Sequence, residues 1–152
     1  RATLAASRAS TYSLGAEFER LNDYLELMRV RMGERLQFAL VLPAELVAQQ
    51  VPPLLLQALV ENSIKHGLEP SVQGGRIDIR AASTGDQLTL QVQDSGVGLQ
   101  AAAETLSPAG SGFGLSQVRD RLQASYGARA TLTVADAAGG GTLVTLTLPL
   151  TP

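Results

Sequence analysis

The sequence predicts an α+β protein, a two-layer sandwich in which helices cover one face of a mixed, mostly antiparallel sheet. Three observations predict it. In several segments apolar residues recur at spacings of three and four, the period of an amphipathic helix. In others they alternate with polar residues, the period of a strand with one buried face. The alternating segments come in adjacent pairs joined by short Gly- and Asp-bearing reversals, the local pattern of hairpins, and hairpins interleaved with helices bury their apolar sides as helix on sheet.

The first helix is expected from Leu14 to Met32, where Leu14, Phe18, Leu21, Leu25, Met28 and Met32 form the apolar stripe and Gly33 is suited to end it. The preceding RATLAASRASTYS gives a weaker signal, compatible with the tail of another helix. RLQFALVL alternates Leu36, Phe38, Leu40 and Leu42 against polar or small neighbours, a strand stopping at Pro43. In VPPLLLQALVENSIKHG, Pro52 or Pro53 suits a first helical turn and Gly67 the end, which makes a helix of about four turns. RIDIRAAS and QLTLQVQD follow as a hairpin around TGD. The residues between Gly96 and Gly114 fit neither period and read as a glycine-rich loop with room for one short helix. A helix is then expected from Leu115, Val118, Leu122 and Tyr126, closed by Gly127, and a second hairpin from ATLTVAD and TLVTLTLPL around AAGGG. No internal repeat is present.

A chain of 152 residues suits one domain with a helix appended. Twelve Lys plus Arg against fourteen Asp plus Glu leave a net charge of −2, so charge gives no reason to expect nucleic acid. Zero cysteines exclude disulfides and thiolate metal sites, and a single His argues against a zinc centre. The longest apolar runs, FALVLPAELVA and VPPLLLQALV, fall well short of the ~20 residues that cross a bilayer, and no signal-peptide pattern opens the chain. The expectation is a soluble piece. Starting at Arg1 without Met, it reads as an excerpt of something longer.

Three glycine-bearing stretches point to chemistry: DSGVG from Asp94 to Gly98, GSGFGL from Gly110 to Leu115, and GGGT from Gly139 to Thr142. Glycine lets backbone approach a ligand closely, and GSGFGL runs into a helix N-terminus, where free N–H groups and the helix dipole favour a phosphate. Neither the P-loop pattern nor the dinucleotide fingerprint is present. Asp94 closes an apolar strand, so a buried carboxylate there needs a donor. In LVENSIKHG, Ala58, Asn62, Lys65 and His66 fall in one broad stripe, with Leu56, Val60 and Ser63 directed elsewhere.

An Asn-bearing helix, a strand ending in DSGVGL, an intervening loop, GSGFGL opening a helix and GGT in the final hairpin together resemble the ATP-binding fold shared by gyrase, the Hsp-ninety chaperones, histidine kinases and MutL. Within that group, LNDYLELMRVRMGERLQF, VPPLLLQ and LQALVENSIKHGLEP resemble the LytS-type sensor histidine kinases from about Leu14 to Pro149. The resemblance implies a Bergerat-type sandwich over residues 36–152 and, over 1–35, a remnant of the dimerisation and phosphoacceptor helices with a connecting helix. It implies ATP and Mg²⁺ as cofactors, with Asn62 as the metal ligand and Lys65 and His66 near the phosphates. Asp94 would accept from the adenine amino group, with Gly96 and Gly98 shaping the turn beside the base and Thr142 supporting it. Gly110, Gly112, Phe113, Gly114 and Leu115 would form the start of the helix that meets the phosphates, with residues 99–109 as lid.

The ATP hydrolases of this fold carry a Glu one turn before the Asn, where this chain has Ala58; phosphoryl transfer to a separate protein group is therefore implied, with Glu61 as a candidate base. No acceptor His stands upstream, so the chain is expected to bind ATP without labelling itself. Implied partners are that acceptor helix, a response regulator and a second copy in the full-length protein, and the implied setting is the cytoplasmic part of a membrane-anchored bacterial sensor. Gln117 stands where the family usually has Asn, and Gly110-Ser111 replaces Gly-Thr. A non-catalytic ATP-binding module and an anti-sigma-type Ser kinase of the same fold stay open.

Overall fold

The computed structural model describes residues 11–68, 72–96 and 113–150. The expectations for Gly98, Gly110, Gly112, the lid and residues 1–10 lie outside them. In chain order the elements are β1 (Tyr12–Ser13), α1 (Leu14–Met32), β2 (Leu36–Val41), β3 (Gln50–Val51), α2 (Leu55–Ser63), β4 (Gly75–Thr84), β5 (Gln87–Asp94), α3 (Phe113–Tyr126), β6 (Thr131–Asp136) and β7 (Thr142–Pro149). The main sheet runs β2-β4-β5-β7-β6. Only β2–β4 is parallel; the other three pairs are antiparallel, as expected of two hairpins brought side by side.

Period-two alternation decides what the sheet buries. Ile77, Ile79 and Ala81 on β4, Leu88, Leu90 and Val92 on β5, and Val144, Leu146 and Leu148 on β7 form one apolar face. The opposite face is polar: Arg80 donates to Gln91 and Gln93 at 3.1 and 3.0 Å. The helices close the apolar face, and α1, α2 and α3 share one core with the strands through Leu21, Leu25, Leu56, Val60, Val118 and Leu122.

Both long helices match the sequence reading, with α1 ending before Gly33 and α3 before Gly127. Two differences are instructive. Pro52 and Pro53 do not open α2, which starts at Leu55, and the helix gives way after Ser63 to a π turn over Ile64–Leu68. The residues ahead of α1 form a short ladder with the segment ahead of α2, Tyr12 opposite Val51 and Ser13 opposite Gln50, where periodicity over two residues carries no signal.

The start of α2 is set from outside the helix. Leu54 precedes it in a left-handed conformation (φ 63°, ψ 17°) and makes no side-chain cap. Glu17 of α1, fully buried, supplies the missing acceptors. Its Oε1 accepts the Leu54 N–H at 3.2 Å, and its Oε2 accepts those of Leu56 and Gln57 at 2.7 and 3.1 Å. The Tyr12 hydroxyl donates to the same carboxylate.

The β6–β7 turn presses on the end of β5. Gly141 adopts φ +94°, and a Cβ there would overlap the Asp94 carbonyl, whereas Gly139, at φ +83°, faces open space. Gly139→Ala is expected to cost about 1 kcal/mol from backbone strain alone. Gly141→Ala adds a backbone clash and is expected to cost about 2–4 kcal/mol, read as a lower denaturant midpoint at constant m. Equal losses for the two would place the β6–β7 turn away from Asp94.

Candidate functional site

Asp94 is the last residue of β5 and lies in phase with Leu88, Leu90 and Val92, so the strand carries a carboxylate onto the apolar face. Only 4% of the residue is exposed. The sheet register sets Thr142, also buried, directly opposite it on β7. Above this end of the sheet α2 runs out, and Ser63, its last residue, is buried as well. Of the four buried polar residues among those described, Ser63, Asp94 and Thr142 meet here, and Glu17 is the fourth.

The carboxylate has partners from three elements. Oδ1 accepts the Gly96 N–H at 2.8 Å, closing the turn after β5. The Ser63 hydroxyl and the Thr142 backbone also bond to it. Burial raises the Asp94 carboxyl above its ordinary value of 3.8, against the lowering effect of the Gly96 N–H, the Ser63 hydroxyl and the Thr142 backbone. Two carboxylate oxygens offer about four lone-pair sites, and the three donors among the described residues leave room for one more. A ligand amino group would fill it.

α2 and α3 line a cleft of about 200 Å³ through Gln57, Ala58, Glu61, Gln117, Val118 and Arg121. The Gln57 amide donates to Glu61 at 2.9 Å, and its own Oε1 is buried without a partner among the described residues. Arg121 donates to the Pro53 carbonyl at 2.6 Å, tying α3 to the approach of α2. The cleft is therefore polar and incompletely satisfied, which suits a site that admits a polar ligand better than a packed core.

Comparison with known proteins decides the family. Residues 52–152 match the family of histidine kinase-, DNA gyrase B- and HSP90-like ATPases. This chain belongs to it. The sensor histidine kinase BtsS of Escherichia coli K12 is 36% identical to this chain over 137 residues, covering 90% of this chain and 24% of BtsS. The sensor protein LytS of Staphylococcus haemolyticus is 31% identical over 139 residues, 87% of this chain and 24% of LytS. The chain thus spans 24% of the length of each of these curated relatives. Among solved structures, the nucleotide-free catalytic domain of histidine kinase ThkA superposes with a TM-score of 0.71 at 18% identity, covering 93% of this chain and 97% of that one. ThkA in complex with the response regulator protein TrrA superposes with a TM-score of 0.66 at 18% identity, covering 93% of this chain and 42% of that one.

Within this ATPase fold the sequence-predicted residues fall as follows. Asp94, Gly96 and Thr142 come together at the sheet end. Asn62 is half-buried in the last turn of α2, next to Ser63. Glu61 points into the α2–α3 cleft. Lys65, exposed, and His66, half-buried, sit in the π turn and not on a continued α-helix. Such turns widen the helical period and re-aim side chains, and they are frequent at functional sites. Phe113 and Gly114 begin α3, and half-buried Leu115 packs against the core. Ser63 is the correction. Expected to point away from the site, it bonds the central carboxylate, because it continues the buried phase of Leu56, Leu59 and Val60 and that phase leads down to Asp94.

Because the Asp94 carboxyl titrates above its unfolded value in the folded chain, its contribution to stability is fully present below pH 3.8 and is lost as pH rises through the higher folded value. The unfolding free energy of wild type minus that of Asp94→Asn is therefore expected to fall across this window and then level off, measured by denaturant titration at stepped pH. A difference that rises with pH would mean a carboxylate stabilised in its charged form.

Proposed function

We propose that this chain is the ATP-binding catalytic module of a two-component sensor histidine kinase, holding Mg-ATP for γ-phosphoryl transfer to an acceptor His outside it. The observation that carries the reading is the buried Asp94 carboxylate, bonded by Gly96, Ser63 and Thr142, which among the described residues leave it acceptor capacity beside the end of α2. Asp94 accepts from the exocyclic amino group of adenine, and Gly96, Gly98 and Thr142 shape the base end of the pocket. Asn62, one residue from Ser63, offers an amide oxygen toward the phosphates, a hard ligand suited to an ion that keeps several waters.

ATP, when bound, supplies the transferable phosphoryl group, and its magnesium screens the charge. Lys65 and His66 flank the phosphate end, and Gly110, Gly112, Phe113, Gly114 and Leu115 bring the start of α3 to it. Glu61, which accepts from the Gln57 amide and lines the α2–α3 cleft, is the candidate base. Ala58 stands where a water-activating Glu would be, which suits transfer over hydrolysis. In the whole protein, residues 1–35 lead from the acceptor-bearing, dimerising helices, a response regulator receives the phosphate, and the module works on the cytoplasmic side of a membrane-anchored sensor. No helix of the described residues is long and apolar enough to cross a membrane.

Isothermal titration with a non-hydrolysable ATP analogue tests the site. Wild type is expected to bind more tightly with magnesium than without, and Asn62→Ala to lose about tenfold in affinity, chiefly in the magnesium-dependent part. With labelled ATP the chain alone is expected to stay unlabelled, and label to appear on the acceptor-His region supplied in trans. Absence of nucleotide binding by wild type in magnesium would overturn the proposal.

A further inference from the structure

Glu17 is a fully buried carboxylate that the site chemistry leaves unused. It lies in the phase of the α1 stripe, one turn from Leu14 and Leu21, where a leucine would continue the core with no desolvation cost. What the carboxylate does instead is accept three of the four N–H groups that the first turn of α2 leaves free. A helix of nine residues with no cap of its own is marginal in isolation, so its placement depends on such contacts.

The left-handed Leu54 points the same way. Such a conformation is uncommon outside glycine and persists where the surroundings over-determine it. Its N–H is shared between Glu17 and the Tyr12 hydroxyl at 3.2 Å each. Tyr12 belongs to β1, which pairs with β3 just ahead of α2, and the Leu14 and Gly15 N–H groups bond the Gln49 and Val47 carbonyls at 2.7 and 2.9 Å. The segment entering α1 and the segment entering α2 are therefore joined at one point. From there α2 runs about 12 Å, at ~1.5 Å per residue, to Ser63 and its bond to Asp94.

We propose that Glu17 is a positioning residue for the nucleotide site, fixing through the first turn of α2 where Asn62 and Ser63 lie at its other end. Tyr12 completes the latch and couples the chain before α1 to nucleotide affinity. The inference rests on the nucleotide reading above.

The test is calorimetric titration of the 152-residue chain with the ATP analogue and magnesium, at a temperature well below the melting point of each variant. Glu17→Leu keeps the burial and removes both acceptors; Glu17→Gln keeps one acceptor oxygen; Tyr12→Phe deletes a hydroxyl; Glu26→Gln, on the exposed side of α1, is the control. Expected are a Kd raised about tenfold in Glu17→Leu, with partial rescue to about threefold in Glu17→Gln, about threefold in Tyr12→Phe, and no change in the control. Amide exchange at Leu56 and Gln57 is expected to speed up in the same order. A residue acting on stability alone would lower Tm and leave these Kd values unchanged, and that result, with wild type binding, overturns the inference while the nucleotide reading stands. No binding by wild type overturns both. Should neither Glu17 variant fold, the Kd of Tyr12→Phe decides.

Discussion

A short helix held at each end by a buried carboxylate is the constraint on which the rest of this structure depends. Glu17 takes the free N–H groups at the start of α2, and Asp94 takes the Ser63 hydroxyl at its end. Each acid sits where an apolar side chain would continue the local pattern, Glu17 among the leucines of α1 and Asp94 after Val92 on β5. Burial raises both carboxyl groups above their ordinary values, and in both cases protein donors pull the other way. The cost of burying them is set against the definition they give to α2, whose own nine residues would not fix its position.

The sheet makes this arrangement possible. Asp94 and Thr142 share a row because β5 and β7 pair antiparallel in a register fixed by their apolar alternation, and a slip of one residue would turn both to the polar face. The β6–β7 turn can close on that row because Gly141 has no side chain to meet the Asp94 backbone. At the other side Arg121 of α3 grips the Pro53 carbonyl just before α2 begins, so the elements around the cleft are tied to the same short stretch. Gln57, which lines that cleft, has a side-chain oxygen without a partner among the described residues.

Much of the fold was legible in the sequence because the long elements carry their period plainly. The α1 stripe, both hairpins and α3 appear with nearly the boundaries that periodicity and turn residues suggest, and Asp94 stands out as a carboxylate closing an apolar strand just before Gly96, whereas Thr142 is singled out by the family resemblance. The short and irregular parts were not legible. Two-residue strands have no period, the π turn after Ser63 has no sequence signature, and Pro52 and Pro53 suggested a helix start that the left-handed Leu54 places later. Ser63 was missed because its phase was read as purely apolar, and Glu17 because a charge near the start of a helix is ordinary. The available signal was that Glu17 interrupts the stripe running through Leu14, Leu21 and Leu25.

Recognition of adenine by Asp94 is the claim most directly open to measurement. Inosine triphosphate differs at the base by a carbonyl where adenine has its amino group, so it would set oxygen against the buried carboxylate. Titration of wild type and Asp94→Asn with both magnesium nucleotides is expected to show wild type preferring ATP about tenfold or more, and the variant losing most of that preference. Equal affinities in wild type, or a preference that survives in Asp94→Asn, would contradict the account.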